Sequence, residues 1–305
     1  MATALLTAAL ALQLLAPAAG HGMMINPRSR NWAGYLQDNF AWAHGLNMGG
    51  VSVVSDKGRL QYPKGRRNYC GDAHNENRWD RPGSIQATYA EGQVINVDTL
   101  FAVNHMGRMS VQICSLDAKP GQGKCKNLYL KAPGHTNTKS WYLPNVKGGW
   151  GGGNYGGDGP KYGDGTFSAY TLPDITERSG WGCTGQRFCS TFKGMWVYRT
   201  QWMLPQGFKC DHCKLQWTWI TGHNCWPPCE KGNPFPQCEN KQQMGTCGAP
   251  GVAYPEEFVN CADVRIMANA KIDLSTQYPP WNSAVSIKGG YWGKVQPPVI
   301  HQRDN

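Results

Sequence analysis

Two histidines, His21 and His105, carry the donor chemistry for a transition metal. A chain cut just before His21 would offer two ligands there, the α-amine and the imidazole, and His105 would add a third nitrogen. Nitrogen donors in a planar arrangement suit Cu(II). Three of them leave a position open to water, dioxygen or peroxide, and copper, unlike zinc, changes oxidation state and can activate those species. The amine ordinarily titrates near about 7.7, so binding displaces a proton and weakens in acid.

The cut itself is an expectation from residues 1–20. Leu5 to Leu15 form a short apolar core, and Ala18 and Gly20 supply small residues where a secretory leader is cleaved. The run is too short to span a bilayer. It contains no Lys or Arg, so its basic start reduces to the α-amine. Nothing in it caps a helix or separates one from the His-Gly that follows, which sets aside a buried N-terminal helix. The predicted organisation is a signal peptide over 1–20, one domain over 21–267, and an extended tail over 268–305 marked by Pro279, Pro280, Pro297 and Pro298. A protein secreted to the cell exterior or cell wall follows, with no membrane partner after cleavage.

The 13 Trp, 38 Gly and 20 Pro favour short strands joined by many loops, hence an all-β sandwich. All 12 Cys lie beyond the leader and point to an oxidising compartment with up to six disulfides. Cys114 and Cys125 are placed to close a local loop, although spacing alone leaves the pairing open. Cys210, Cys213, Cys225 and Cys229 could alternatively supply four thiolates to zinc, a reading that a secreted chain disfavours. The formal charge of +10 draws the protein toward acidic surfaces. Polyanionic wall material and nucleic acid both fit charge alone, but no nucleic-acid motif is present and a solvated basic surface suffices.

Period-2 patterning places the histidines. Ile95, Val97 and Phe101 share one side of a strand, and Met109, Val111 and Ile113 repeat the pattern. Asn104-His105-Met106-Gly107 between them reads as a tight hairpin turn, with Gly107 taking the unusual backbone conformation. Leu215, Trp217 and Trp219 alternate with Gln216, Thr218 and Ile220 after the turn-prone Leu204-Pro205-Gln206-Gly207, and are read as core. Phe258 to Ile266 form a last strand, which a disulfide at Cys261 would fasten to the sheet. The segment 148–165, with Trp150, Tyr155 and Tyr162 among glycines, reads as a loop whose aromatics could touch a sugar. Glu256 and Glu257 read as exposed carboxylates at a strand start, or else as outer groups orienting the oxygen species.

The order of the motifs is more specific than any one of them. His21-Gly22 precedes Pro27-Arg28-Ser29-Arg30, and Tyr69-Cys70-Gly71-Asp72 follows. Gly92-Gln93-Val94-Ile95 runs into Asn104-His105-Met106-Gly107. Leu204-Pro205 leads to Cys210-Asp211-His212-Cys213-Lys214-Leu215-Gln216-Trp217-Thr218, and Glu257-Phe258-Val259-Asn260-Cys261-Ala262-Asp263-Val264 closes the set. In that order the chain resembles the lytic polysaccharide monooxygenases, specifically auxiliary activity family fifteen, across nearly all of 21–267.

The resemblance implies an immunoglobulin-like or fibronectin III-like β-sandwich with a flat binding face and one copper ion. His21 would give its amine and Nδ1, and His105 its Nε2. Counting back from Asp263, Phe258 matches the family's axial aromatic, with Tyr254 as the nearby fallback. The implied reaction needs an external electron donor and O2 or H2O2, and breaks glycosidic bonds of chitin or cellulose by oxidation at C1 or C4, the enzyme acting as a monomer on insoluble polymer. A noncatalytic chitin- or cellulose-binding protein is the alternative. A glycoside hydrolase would need two carboxylates flanking one bond, and no spacing identifies them.

Two departures from the family pattern stand out. Pro27-Arg28-Ser29-Arg30 replaces Pro-Pro-Ser-Arg, and Cys225-Trp226-Pro227-Pro228-Cys229 is inserted near a usual Gly-Asn-Ser-Trp. His44, His74, His135, His212 and His223 are left with no metal role.

Overall fold

The computed structural model describes residues 21–268, apart from 39, 41, 120–121, 133–136, 144–166, 173–190, 232–237 and 239–243. The leader, the glycine-rich segment and the tail from 269 onward, with the expectations attached to them, lie outside the described residues.

Two sheets face each other. The first carries β1 (His21–Asn26), β3 (Val94–Val103), β9 (Trp196–Met203) and β6 (Tyr129–Leu130) in that order, with β8 (Ser168–Thr171) also on β9. The second runs β2 (Ala87–Ala90), β11 (Glu257–Met267), β10 (Cys210–Ile220), β4 (Arg108–Ser115) and β5 (Cys125–Asn127), with β7 (Trp141–Tyr142) on β4. Alternation sends Ile95, Val97 and Phe101 of the first sheet into one core with Met109, Val111, Ile113, Leu215, Trp217, Trp219, Phe258 and Val264 of the second. The predicted β-sandwich is therefore present, and the tryptophans of β10 are fully buried core residues.

Both outer faces are covered as well. Helix α1 (Arg30–Asp38) lays Trp32, Tyr35 and Leu36 over Met23, Ile25, Leu100 and Val197, so β1 and β3 are buried on both sides. Ser29 begins this helix: its hydroxyl accepts from the Trp32 amide at 3.3 Å and donates to the Met24 carbonyl. On the second sheet, outward-pointing Gln216 donates to the Tyr69 carbonyl and Lys214 to the Ala118 carbonyl, which ties loops over the strand.

Two expectations are corrected. Strands β3 and β4 are not a hairpin: they pair in different sheets, and Asn104–Gly107 carries the chain across the sandwich between them. Period-2 patterning records which face is apolar but not which sheet a strand joins, so it could not separate the two cases. The disulfide at Cys261 does not join the last strand to the sheet. It pins Cys70, in the covering loop, onto β11 across 191 residues.

Five disulfides occur among the described residues: Cys70–Cys261, Cys114–Cys125, Cys210–Cys213, Cys225–Cys247 and Cys229–Cys238. The local Cys114–Cys125 bridge is as expected. Every cysteine of the alternative zinc cluster is consumed in a disulfide, so no thiolates remain for that metal.

Candidate metal centre

Strand pairing brings the two histidines together. His21 opens β1 opposite Val103 near the end of β3, and His105 lies two residues farther along. Gly22 makes that approach sterically feasible, because a Cβ there would stand 2.9 Å from Phe101 Cδ1 and 3.1 Å from the Trp219 ring.

The turn holding His105 is over-determined. Asn104 Oδ1 accepts from the Met106 amide at 2.8 Å, and Met106 and Gly107 both have positive φ, at 52° and 81°. A Cβ on Gly107 would meet the Ile220 carbonyl oxygen at 2.1 Å, so only glycine fits. The Trp219 indole N–H donates to the Met106 carbonyl at 2.7 Å, and the Gly222 amide donates to the His105 carbonyl at 2.9 Å. Phe258 is fully buried and stacks on Trp219 with ring centroids 5.1 Å apart, beneath the turn. Tyr254 belongs to a different group: its hydroxyl donates to Glu257 Oε2 at 3.3 Å, and its ring lies under the Arg67 guanidinium.

Burial sets the protonation of the cluster. It pushes His105 down to about 4, helped by the nearby His223 and His21, and it lowers His21 and His223. His44 is also held at about 4 by burial and by His21. All four imidazoles are therefore neutral at pH 7, the form in which they ligate metals.

The surroundings hold Trp42, which sequence patterns did not single out, and histidines to which they gave no metal role. The His44 ring is 4.9 Å from that of His21, and Trp42, more than half exposed, meets His21 edge-on at 5.0 Å. The His223 ring is 4.5 Å from His105. Glu256 and Glu257 are buried rather than exposed, because loops cover the start of β11. Glu257 pairs with Arg67 at 2.7 Å, whereas Glu256 Oε2 lies 3.9 Å from His105 Nδ1 and its Oε1 accepts from Asn47 at 3.2 Å. One donor atom each from His105, His223 and Glu256 fall within 4.8 Å of one another. His223 had only one signal in the sequence, its position beside the inserted Cys225–Cys229 segment. His212 is occupied by Asp263, His74 is exposed, and His135 lies outside the described residues.

Residues 21–264 match the family model described as lytic polysaccharide mono-oxygenase, cellulose-degrading. The chain belongs to that family. Two solved structures are similar to it: a lytic polysaccharide monooxygenase AA15 from Thermobia domestica in the Cu(I) state, at 20% identity and a TM-score of 0.47, and the cellulose-active monooxygenase CelS2 in complex with copper, at 13% and 0.37. Each alignment covers 82% of this chain and 100% of the other. A comparison with curated proteins returns no match.

Several of the motifs that carry the resemblance to the monooxygenases are scaffold in this chain. Arg30 forms a two-pronged pair with Asp263, at 2.7 Å on each prong, and donates to the Trp79 carbonyl. Asp263 also accepts from the Gly83 amide and contacts His212 Nε2 at 2.8 Å. Asp72 accepts from the Trp79 and Asp80 amides. In the inserted segment Cys225 and Cys229 anchor two disulfide loops, and the Trp226 ring packs against Gly222, one residue before His223. Among the described residues no helix is long and apolar enough to cross a membrane.

Proposed function

We propose that this family member is a secreted, copper-dependent monooxygenase that cleaves chitin or cellulose oxidatively at C1 or C4, as a monomer, with an external reductant and O2 or H2O2. The observation that carries the reading is the placement of His21 opposite Val103, beside a buried and neutral His105. That donor set fits copper: two neutral imidazoles and, after cleavage behind Gly20, one amine.

His21 would hold the ion through its amine and Nδ1 and His105 through Nε2, with Phe258 as the aromatic residue packed beside them. Tyr254 is less suited to that place, since its hydroxyl and ring are engaged by Glu257 and Arg67. When bound, copper supplies one-electron chemistry toward O2 or H2O2 once a donor has reduced it. The remaining work falls to the protein. Phe258 and Trp219 exclude water from beneath the site, and the negative charge of Glu256, 3.9 Å from His105 Nδ1, favours a proton on that nitrogen and leaves Nε2 unprotonated.

The test uses protein cut after Gly20. Copper-loaded protein incubated with chitin or cellulose and ascorbate should release oligosaccharides with oxidised ends, detected by mass spectrometry, and His21→Ala and His105→Ala should abolish them. Polymer binding with no oxidised products would identify a noncatalytic binding protein instead. Copper affinity equal to that of either variant would defeat the mechanism.

A further inference from the structure

We propose that His105, His223 and Glu256 form a second divalent-cation site that does not require the His21 amine, and that it takes zinc or copper. Two imidazoles and one carboxylate are a donor set suited to those ions, and to zinc in particular with a fourth position left to water.

Three separate chain segments supply the ligands, and backbone hydrogen bonds hold those segments in place. His105 lies on the turn between β3 and β4, His223 follows β10, and Glu256 precedes β11. The Gly222 amide donates to the His105 carbonyl at 2.9 Å, and the Thr221 amide donates to the Glu256 carbonyl at 3.0 Å. Gly107, packed against the Ile220 carbonyl, locks the first two segments together. Asn47 fixes one oxygen of Glu256 and leaves the carboxylate aimed at His105, with Oε2 3.9 Å from Nδ1.

The spacing needs only a small contraction. Ligand atoms around a tetrahedral zinc with bonds of about 2.0–2.1 Å stand roughly 3.3 Å apart. Here they lie within 4.8 Å, and His223, the most exposed of the three, can swing inward. His105 and Glu256 are both more than nine-tenths buried, so the site is built into the fold. Its ligands are complete whether or not the chain has been cut before His21, whereas the three-nitrogen copper site depends on that cut. The two sites share His105, and a neutral imidazole has one lone pair to give, so without loss of its second proton the residue serves one ion at a time and the sites compete for it.

Zinc ion alone is the probe, titrated calorimetrically into the cut chain carrying His21→Ala, with circular dichroism and thermal melting as folding controls. One equivalent should bind. Adding His223→Ala should weaken it by at least about 100-fold, above the 10- to 100-fold that losing an outer partner costs, and Glu256→Gln should weaken it by about 10-fold or more. Both His21→Ala proteins keep the terminal amine and His105, so the difference isolates His223. Failure of His21→Ala to bind zinc, or equal affinity with and without His223, would overturn the proposal. The copper reading fails separately, through equal Cu(II) affinity of the unsubstituted protein and His21→Ala.

Discussion

Arg30 and Asp263, 233 residues apart in the chain, meet in a buried two-pronged ion pair that fastens the start of α1 to the outer face of β11. Removing one partner leaves the other charged and dry. Arg30→Ala or Asp263→Ala should cost about 3–5 kcal/mol in denaturant unfolding. A double-mutant cycle should give a large coupling between the two positions; additive losses would show that each residue acts through other contacts.

Strand periodicity made much of this architecture legible. The inward residues of β3, β4, β10 and β11 fall where alternation puts them, because each strand has one face on a shared core. Sheet membership was not legible: a short turn such as Asn104–Gly107 serves a hairpin or a crossing between sheets equally well. The candidate ligands His21 and His105 could be named from leader and motif, and the pairing of β1 with β3 places His21 beside the turn that carries His105. Trp42 and the approach of His44 and His223 could not be read, because they come from loops whose placement depends on long-range pairing, and Glu256 was legible only as one of two readings, since its burial depends on the loops that cover it.

Covering the outer face also depends on Cys70–Cys261. In the chain-entropy account, a bridge spanning 191 residues stabilises by about 5 kcal/mol and one spanning 11, such as Cys114–Cys125, by about 3. Replacing both cysteines of the first pair should therefore lower the melting temperature more than replacing those of the second. The reverse order would mean that covering loop and strand are held mainly by Arg30–Asp263 and its neighbours.

The buried imidazoles make the metal-free protein acid-sensitive. His105 and His44 titrate near 4 when folded and near 6.5 when unfolded, so between those values the unfolded chain binds more protons. Stability should be level above pH 6.5 and fall as pH drops from 6.5 toward 4, by up to about 1.4 kcal/mol per pH unit for each group. Urea unfolding in the presence of a chelator measures this. His44→Phe should flatten the slope, and an unchanged slope would assign the acid sensitivity to other groups.

Copper should stabilise the cut protein by linkage. At about 100 times its dissociation constant, a ligand bound only by the folded state contributes about 3 kcal/mol. In a domain of this size that corresponds to a rise in melting temperature of roughly 5–10 °C. A chelator should reverse the rise, and His105→Ala, which removes a ligand of both proposed sites, should remove most of it.

Trp42 offers a test of the substrate face. Its indole is 56% exposed and stands edge-to-face with the His21 ring, centroids 5.0 Å apart, so under the proposed function a polymer approaching His21 would meet it. Covering about 40–80 Å² of apolar surface against a sugar face, at ~25 cal/mol per Å², contributes about 1–2 kcal/mol, or roughly 5- to 30-fold in affinity. Trp42→Ala should weaken binding to the insoluble polymer by that factor, and Trp42→Phe should retain most of it. Copper affinity should be nearly unchanged in both, because His21 keeps its backbone place opposite Val103. Polymer binding unaffected by Trp42→Ala would move the substrate path to another side of His21.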